Sequence, residues 1–368
     1  MGQWHEKCVA HYDESVTEFF SLHFKEQSRN CLLIGGAGFD PRSAGLTKHL
    51  STILGNRLTA YMIKEERQDP DPELVIRAAN NLAQIKKYCS SLNIIDINIF
   101  ASDGAVIGGH NIIRAVQKID FAPYTDVVID LSALSTGISY PVVSFIYQTA
   151  KKYTHDFNVH IALLSNPALD GSIKSEPNDQ PSDVRGFDRK NLYGDNEKAL
   201  LWLPVVSENK QHLLKIIHSN IEPHDTCPIL PFPSEDPKKG DRIAYSIFSS
   251  IYTGWGGPLD NEWGLEAQNY LYADERKPLD IYRTILRIAD DRAPVFDAFG
   301  GSTIILSPLG SKIPSIGALM AALEREFPVV YIETIAYNVD WSRVDSISST
   351  ESRMAHIWLY GDAYLHDK

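Results

Sequence analysis

The sequence predicts an α/β fold built on a largely parallel sheet with helices on both faces, and three observations predict it. Short, nearly continuous apolar runs recur between segments of helical periodicity. Several of these runs end directly in glycine- or serine-rich turns. The chain is 43% hydrophobic with 10% aromatics, enough for a sizeable core and far from a disordered composition. Strands read as continuous apolar runs when helices cover both faces of a parallel sheet.

Taken in order, Val9, Tyr12, Val16, Phe19, Phe20, Leu22 and Phe24 leave an apolar stripe at helical spacing. Residues 30–34 read as a short buried strand running into Gly35-Gly36-Ala37-Gly38, and a helix over 43–54 stops at Gly55-Asn56. Residues 58–63 are a second strand. Asp69-Pro70-Asp71-Pro72 breaks the chain and caps a strong helix over 73–88. A third strand at 94–100 precedes a helix over 111–118, and 126–131 is the clearest strand, followed by a helix over 141–152 and an apolar run at 159–164. The economical arrangement is Rossmann-like and doubly wound. From Asn166 to Asn196 the composition shifts to Pro, Asp, Ser, Asn and Gly, which reads as a long surface excursion. Beyond it lie a strand at 200–206, a helix over 211–219, a proline-rich stretch at 223–237 and helices over 241–251 and 278–289. The last unit is a strand at 302–306, a helix over 314–326 and a strand at 328–332, and 354–360 reads as an added edge strand. No repeat at a fixed period is visible.

A length of 368 residues fits one large domain or two fused α/β halves. The division expected is an α/β domain over 1–165, an insert and connecting region over 166–240, and a second α/β half over 241–368. The formal charge is −12, which disfavours an extended DNA or RNA track without excluding a local basic pocket. Four cysteines (Cys8, Cys31, Cys89, Cys227) sit far apart with no CxxC pair, so neither a disulfide framework nor a structural zinc is expected, and a reducing cytoplasm is the natural compartment. No apolar run nears the ~18 residues that span a bilayer, and the first residues do not read as a signal peptide. The 12 histidines form no HExxH or HxH pattern, which disfavours a catalytic metal, and His5 with His11 is a weak pair.

Three strand-end loops carry the candidate chemistry. In the first, Gly36 and Gly38 allow close backbone approach, and Arg42 is of the type that grips phosphate or carboxylate in a fork. Pro41 stands where the dinucleotide fingerprint needs its third glycine, and no GxxxxGK[ST] occurs. The alternative for this loop is a tight turn capped by Asp40, with Arg42 as its ion-pair partner. In the second, Asp130 is followed by Ser132, Ser135, Thr136 and Gly137, hydroxyls and amides that suit an oxyanion or a ribose, or else simply cap a helix. No GxSxG elbow makes a nucleophile of these serines. In the third, Ser307, Gly310, Ser311 and Lys312 precede a helix, where a lysine is placed to hold phosphate. All three are expected to follow strands of one kind of sheet and to converge. A fourth stretch, residues 255–283, alternates aromatics with charges and reads as a stacking wall, a protein interface or plain core.

Gly36-Ala37-Gly38 is similar to the first motif of nucleotide-cofactor methyltransferases. The 130–137 and 307–312 loops together resemble those of the CARF group, Rossmann-like sensor domains of prokaryotic immunity that bind cyclic oligonucleotides. The lysine that commonly follows the glycine of the first of these loops is replaced here by Ile138. The resemblance implies a ligand-sensing or scaffold subunit of a bacterial defence or stress system acting with a separate effector. On that reading the ligand is a nucleotide-like small anion held by Gly36, Gly38, Arg42, Ser132, Ser135, Thr136, Gly137, Ser307, Gly310, Ser311 and Lys312. A protein partner or a second copy of the chain is expected, and no membrane; no cofactor is assigned. The enzyme alternative is a transferase or nucleotide hydrolase in the same cleft, with Asp40 or Asp130 as base and Glu275 as a second carboxylate. The third class is an interaction subunit docking through 252–272.

Overall fold

The computed structural model describes residues 3–152, 157–189, 198–252, 269–347 and 352–365. The chain divides into two compact units, Lys7–Pro177 with Thr334–Lys368, and Met1–Glu6 with Asn178–Glu333. These boundaries differ from the expected divisions after 165 and 240, because the C-terminal segment belongs with the N-terminal unit. Within the 166–196 stretch, the described residues 166–189 are also more regular than their composition predicts. They form α6 (Pro167–Ser172) and β7 (Ile173–Asp183), and β7 pairs with β13 (Val330–Val339) in a two-stranded sheet.

The first unit is built on seven strands. Five of them run parallel: β2 (Cys31–Gly36), β3 (Leu58–Glu66), β4 (Ser91–Asn98), β5 (Asp126–Asp130) and β6 (Asn158–Ser165). β14 (Arg353–Tyr360) lies antiparallel beside β6, and β1 (Val9–Tyr12) antiparallel beside β14. The order is β1-β14-β6-β5-β2-β3-β4. The chain therefore builds outward from β2 to β4, returns, and builds the other way from β5. That reversal between β2 and β5 is the topological switch point of an open parallel sheet. The mixed α/β, Rossmann-like class expected from the apolar runs is the class observed.

Local chemistry explains the elements. Asp71 accepts the Glu73 amide at 2.8 Å and Pro72 opens α3 (Pro72–Tyr88), a side-chain cap with proline at the first turn. The predicted N-terminal helix is split, because Asp13 takes a φ of 54° between β1 and α1 (Glu14–His23). The Ser15 hydroxyl fixes this turn, accepting from the Tyr12 amide (2.9 Å) and donating to the Tyr12 carbonyl (2.7 Å). Helix α5 (Thr136–Lys152) begins five residues earlier than predicted and carries Pro141 inside it, so the Gly137 carbonyl receives no N–H from position 141. Segment 353–360 is an interior strand rather than an edge, since β1 covers its outer side. Val16 and Phe20 of α1, with Phe24 at its C-cap, pack with Leu33, Met62 and Val128 of the sheet and with Leu50 of α2 (Gly45–Leu54).

The second unit has its own parallel sheet, β11 (Leu271–Ala273), β10 (Ile229–Pro231), β8 (Ala199–Val206) and β12 (Ser302–Leu309) in that order, with β9 (Asp225–Thr226) also on β8. Trp202, Ile305 and Val330 form its core with Leu214 and Ile217 of α7 (Gln211–Ile221) and Ile243 and Ile247 of α8 (Lys239–Tyr252). Helices α9 (Pro278–Phe296) and α10 (Lys312–Arg325) pack on each other. Among the described residues no helix is long and apolar enough to cross a membrane.

All four cysteines are free, with Cys31 and Cys89 buried and Cys8 and Cys227 partly exposed. Burial pushes the Cys31 thiol well up, and the nearby Asp126 carboxylate adds to this. Because the thiolate is the nucleophile, Cys31 and Cys89 are expected to resist Ellman's reagent in the native protein and to react on unfolding. Labelling of Cys31 as fast as the partly exposed Cys8 and Cys227, read by peptide mass spectrometry, would contradict this packing.

Candidate functional site

Two of the three predicted loops meet at the carboxyl ends of β2 and β5. Gly35 and Gly36 are the last residues of β2, and Asp130 is the last residue of β5. A side chain at Gly35 would stand 3.2 Å from Asp130 Cβ, and one at Gly36 would stand 2.9 Å from the Ala133 carbonyl oxygen. The missing side chains therefore serve the approach of the chain's own 131–135 loop. Gly38 differs, since a Cβ there would meet nothing within 4 Å.

The 131–135 loop crosses from β5 toward β3. The Ser132 amide donates to Asp130 Oδ1 at 2.9 Å, the Ser132 hydroxyl also reaches that oxygen, and the same hydroxyl accepts the Leu164 amide at 2.8 Å. Ser132 is thus a fully buried structural link. The Ser135 amide, just before α5, donates to Glu65 Oε1 at 2.8 Å, and Arg67 pairs with the other oxygen of Glu65 at 3.0 Å. The Ser135 hydroxyl is buried with no hydrogen-bond partner among the described residues. A buried hydroxyl without a partner is costly unless something binds it. Thr136 and Gly137 open α5, Gly137 buried and Thr136 partly exposed.

Arg42 is not held out to solvent. It is 5% exposed and forks onto Asp40, with Nη2 2.6 Å from Oδ2 and Nε 2.9 Å from Oδ1, while Nη1 meets Asp170 of α6 at 2.8 Å. Burial would lower its pKa, yet the two carboxylates raise it, so it is always charged. Asp40 Oδ1 also accepts the Arg42 amide at 2.9 Å, and Asn81 of α3 clamps the Gly38 and Asp40 carbonyls at 2.9 and 3.0 Å. The alternative reading of this loop, a capped turn with an internal ion pair, is the arrangement found. Asp170 was not legible as its third member because it lies 128 residues away.

The third loop also follows a parallel strand, as expected, but one of the other sheet. Ser307 is fully buried and accepts Trp202 Nε1 at 2.9 Å, and Gly310 packs 3.2 Å from Val205 Cγ1 at its would-be Cβ. Ser311 precedes α10 and Lys312 is its first residue. At the neighbouring end of β8, burial lowers the Lys210 ammonium pKa, and burial together with Lys210 lowers that of His212. Lys210 was not legible in the sequence, because it lies outside the glycine-rich turns. Glu275 also belongs to this unit, where it pairs closely with Lys239, whereas Asp40 and Asp130 belong to the seven-stranded unit. The stretch from 253 to 268, with Trp255, lies outside the described residues.

No protein-family description matches the chain, and no curated protein does. Solved structures to which it is similar include a putative rRNA methylase from Clostridium thermocellum, at 10% identity and a TM-score of 0.24, over 45% of this chain and 86% of that one. Another is the precorrin-6y C5,15-methyltransferase of Geobacter metallireducens, at 14% identity and a TM-score of 0.23, over 46% and 76%. The glycopeptide N-methyltransferase MtfA, complexed with sinefungin, matches at 15% identity and 0.20, over 47% and 61%. Likeness at these scores carries no argument about function, and the fold is read from this chain's own strand order.

Proposed function

We propose that the seven-stranded unit binds a nucleoside-bearing group donor at the carboxyl ends of β2 and β5, and that the protein is a transferase. The strand-order reversal between β2 and β5 carries this reading, because ligands of open parallel sheets settle there. Gly38 leaves room for close approach, and the Ser135 hydroxyl supplies a hydrogen-bonding group for a ribose or amine.

Charge separates the candidate ligands. The ionic groups named around this switch point are Asp40, Glu65, Asp130 and Asp170 against Arg42 and Arg67, four carboxylates to two guanidiniums and so formally −2. A pyrophosphate or cyclic oligonucleotide would meet like charge there, while a sulfonium or ammonium donor would be attracted. S-adenosylmethionine is the nucleoside donor with that charge. This favours the transferase over the nucleotide hydrolase and over a polyanion sensor.

A thermal-shift series with S-adenosylmethionine, S-adenosylhomocysteine, ATP, NAD and cyclic oligonucleotides tests the reading. At 100-fold over Kd a ligand adds about 2.7 kcal/mol, which for a unit of this size raises Tm by about 5–10 °C. The shift is expected with the two adenosyl compounds and not with ATP. Tighter binding of the polyphosphates would overturn it. A ligand bound but recovered unchanged after long incubation with a panel of nucleophilic acceptors would favour a sensor with a separate effector. Gly38→Val is expected to leave stability within about 0.5 kcal/mol while abolishing the shift, since its side chain enters open space.

A further inference from the structure

A different cluster lies at the opposite end of β5. Asp126 is the first residue of that strand and Asp130 the last. Around Asp126 gather His23 at the end of α1, His160 in β6, His356 in β14 and His11 in β1. His11 and His356 stand directly opposite in the β1–β14 register. Phe19 of α1 stacks over three of the imidazoles, with ring centroids 4.3 Å from His11, 4.5 Å from His356 and 5.1 Å from His23.

Both His23 Nε2 (2.7 Å) and His160 Nε2 (3.2 Å) point at one oxygen, Asp126 Oδ1. These three donor atoms all lie within 4.8 Å of one another, and Asp126 and His160 are fully buried. The other carboxylate oxygen is held from outside, by the Thr125 hydroxyl at 2.6 Å and Arg29 Nη1 at 3.5 Å. Arg29 is itself balanced by Glu26 at 3.2 Å and Asp362 at 3.0 Å, so the Asp126 charge remains for the imidazole side. His160 Nδ1 is held by His356 Nε2 at 2.9 Å, and His356 Nδ1 meets His11 Nδ1 at 3.0 Å.

We propose that His23, Asp126 and His160 form a binding site for a zinc-type divalent ion, with His356 and His11 orienting His160 from behind. Two imidazoles and one carboxylate are a donor set that zinc takes with three protein ligands. A ligating histidine whose second nitrogen is engaged, and a ligating carboxylate whose second oxygen is anchored, are the outer contacts such sites use. Such a site takes neutral imidazoles, each with a lone pair to give. The site stands apart from the switch point and does not depend on the proposed reaction.

Ion binding has a consequence along the row. Without the ion, His160 Nε2–H donates to Asp126, so His356 Nε2–H donates to His160 and His11 Nδ1–H donates to His356. With the ion on His160 Nε2, the proton sits on Nδ1 and all these donors reverse.

The experiment uses the full chain, stripped with chelator and dialysed against Zn2+ or Co2+ with subsequent washing. Wild type is expected to keep about one ion per chain, with the histidine tautomers of His160 and His356 reversing in nitrogen-15 NMR spectra. His23→Ala and Asp126→Asn should lose that tightly held ion, and His356→Ala should weaken affinity about 10–100-fold. His49→Ala and His218→Ala should keep it. No retained ion in folded wild type, no tautomer reversal on loading, or full retention in folded His23→Ala would each overturn the proposal.

Discussion

Replacing Arg42 with alanine is expected to destabilise the seven-stranded unit by about 3–5 kcal/mol, the cost of removing one member of a buried ion pair. The guanidinium is 5% exposed and pairs with both Asp40 and Asp170 across this turn. Without it, two carboxylates lose the charge that joins them in a partly desolvated place. The Asp40 cap on the turn over Pro41–Ala44 would loosen with it. Asp170→Asn should cost far less, about 1 kcal/mol, because that side chain is 30% exposed and water can solvate what remains. Urea titration of the two variants against wild type measures both numbers. Equal and small effects would show that Arg42 is not an internal clamp, and would reopen the sequence's first reading of it as an anion grip.

That first reading shows where the sequence stops being informative. β2, β5 and α3 were legible because their signals are local: an apolar run ending in glycine, another ending in Asp-Leu-Ser, and an Asp-Pro cap ahead of a periodic helix. The partner of Arg42 is not local. Asp170 sits on α6, in a stretch whose composition read as surface loop, and only the return of β6 beside β5 brings it near. The same holds for the grouping of the three loops. Each follows a strand, yet alternation of strand and helix says nothing about which strands share a sheet.

The histidine row shows a subtler limit. Val159-His160-Ile161, Ala355-His356-Ile357 and Ala10-His11-Tyr12 each place one polar ring among apolar neighbours. What joined them was the antiparallel insertion of β14 between β6 and β1, and 354–360 read only as an edge. A search for short metal motifs finds ligands on one element, and here they come from three. At Asp13 the failure was one of period. Val9, Tyr12, Val16 and Phe19 fit helical spacing, and a single positive φ between Tyr12 and Glu14 turns the first four residues of that run into a strand.

Gly317→Ala is expected to destabilise the second unit by about 2 kcal/mol, and Gly317→Val by about 3 kcal/mol or more. Two effects compete at this position. Alanine in a helix interior is favoured over glycine by about 1 kcal/mol. Against that, a Cβ at Gly317 would stand 2.3 Å from the Pro278 carbonyl oxygen and 2.6 Å from Ile281 Cβ, both on α9. The first of these is backbone and has no rotamer to change, so α10 must move away from α9 as a body. The overlap outweighs the propensity gain. Because Lys312 is the first residue of α10, the same movement displaces the Ser311-Lys312 turn from the end of β12. Chemical denaturation followed by near-ultraviolet circular dichroism, which senses the buried Trp202, gives the order of the three proteins. A stabilised Gly317→Ala would mean that the two helices stand further apart than described, and that the glycine is there for neither packing nor the placing of Lys312.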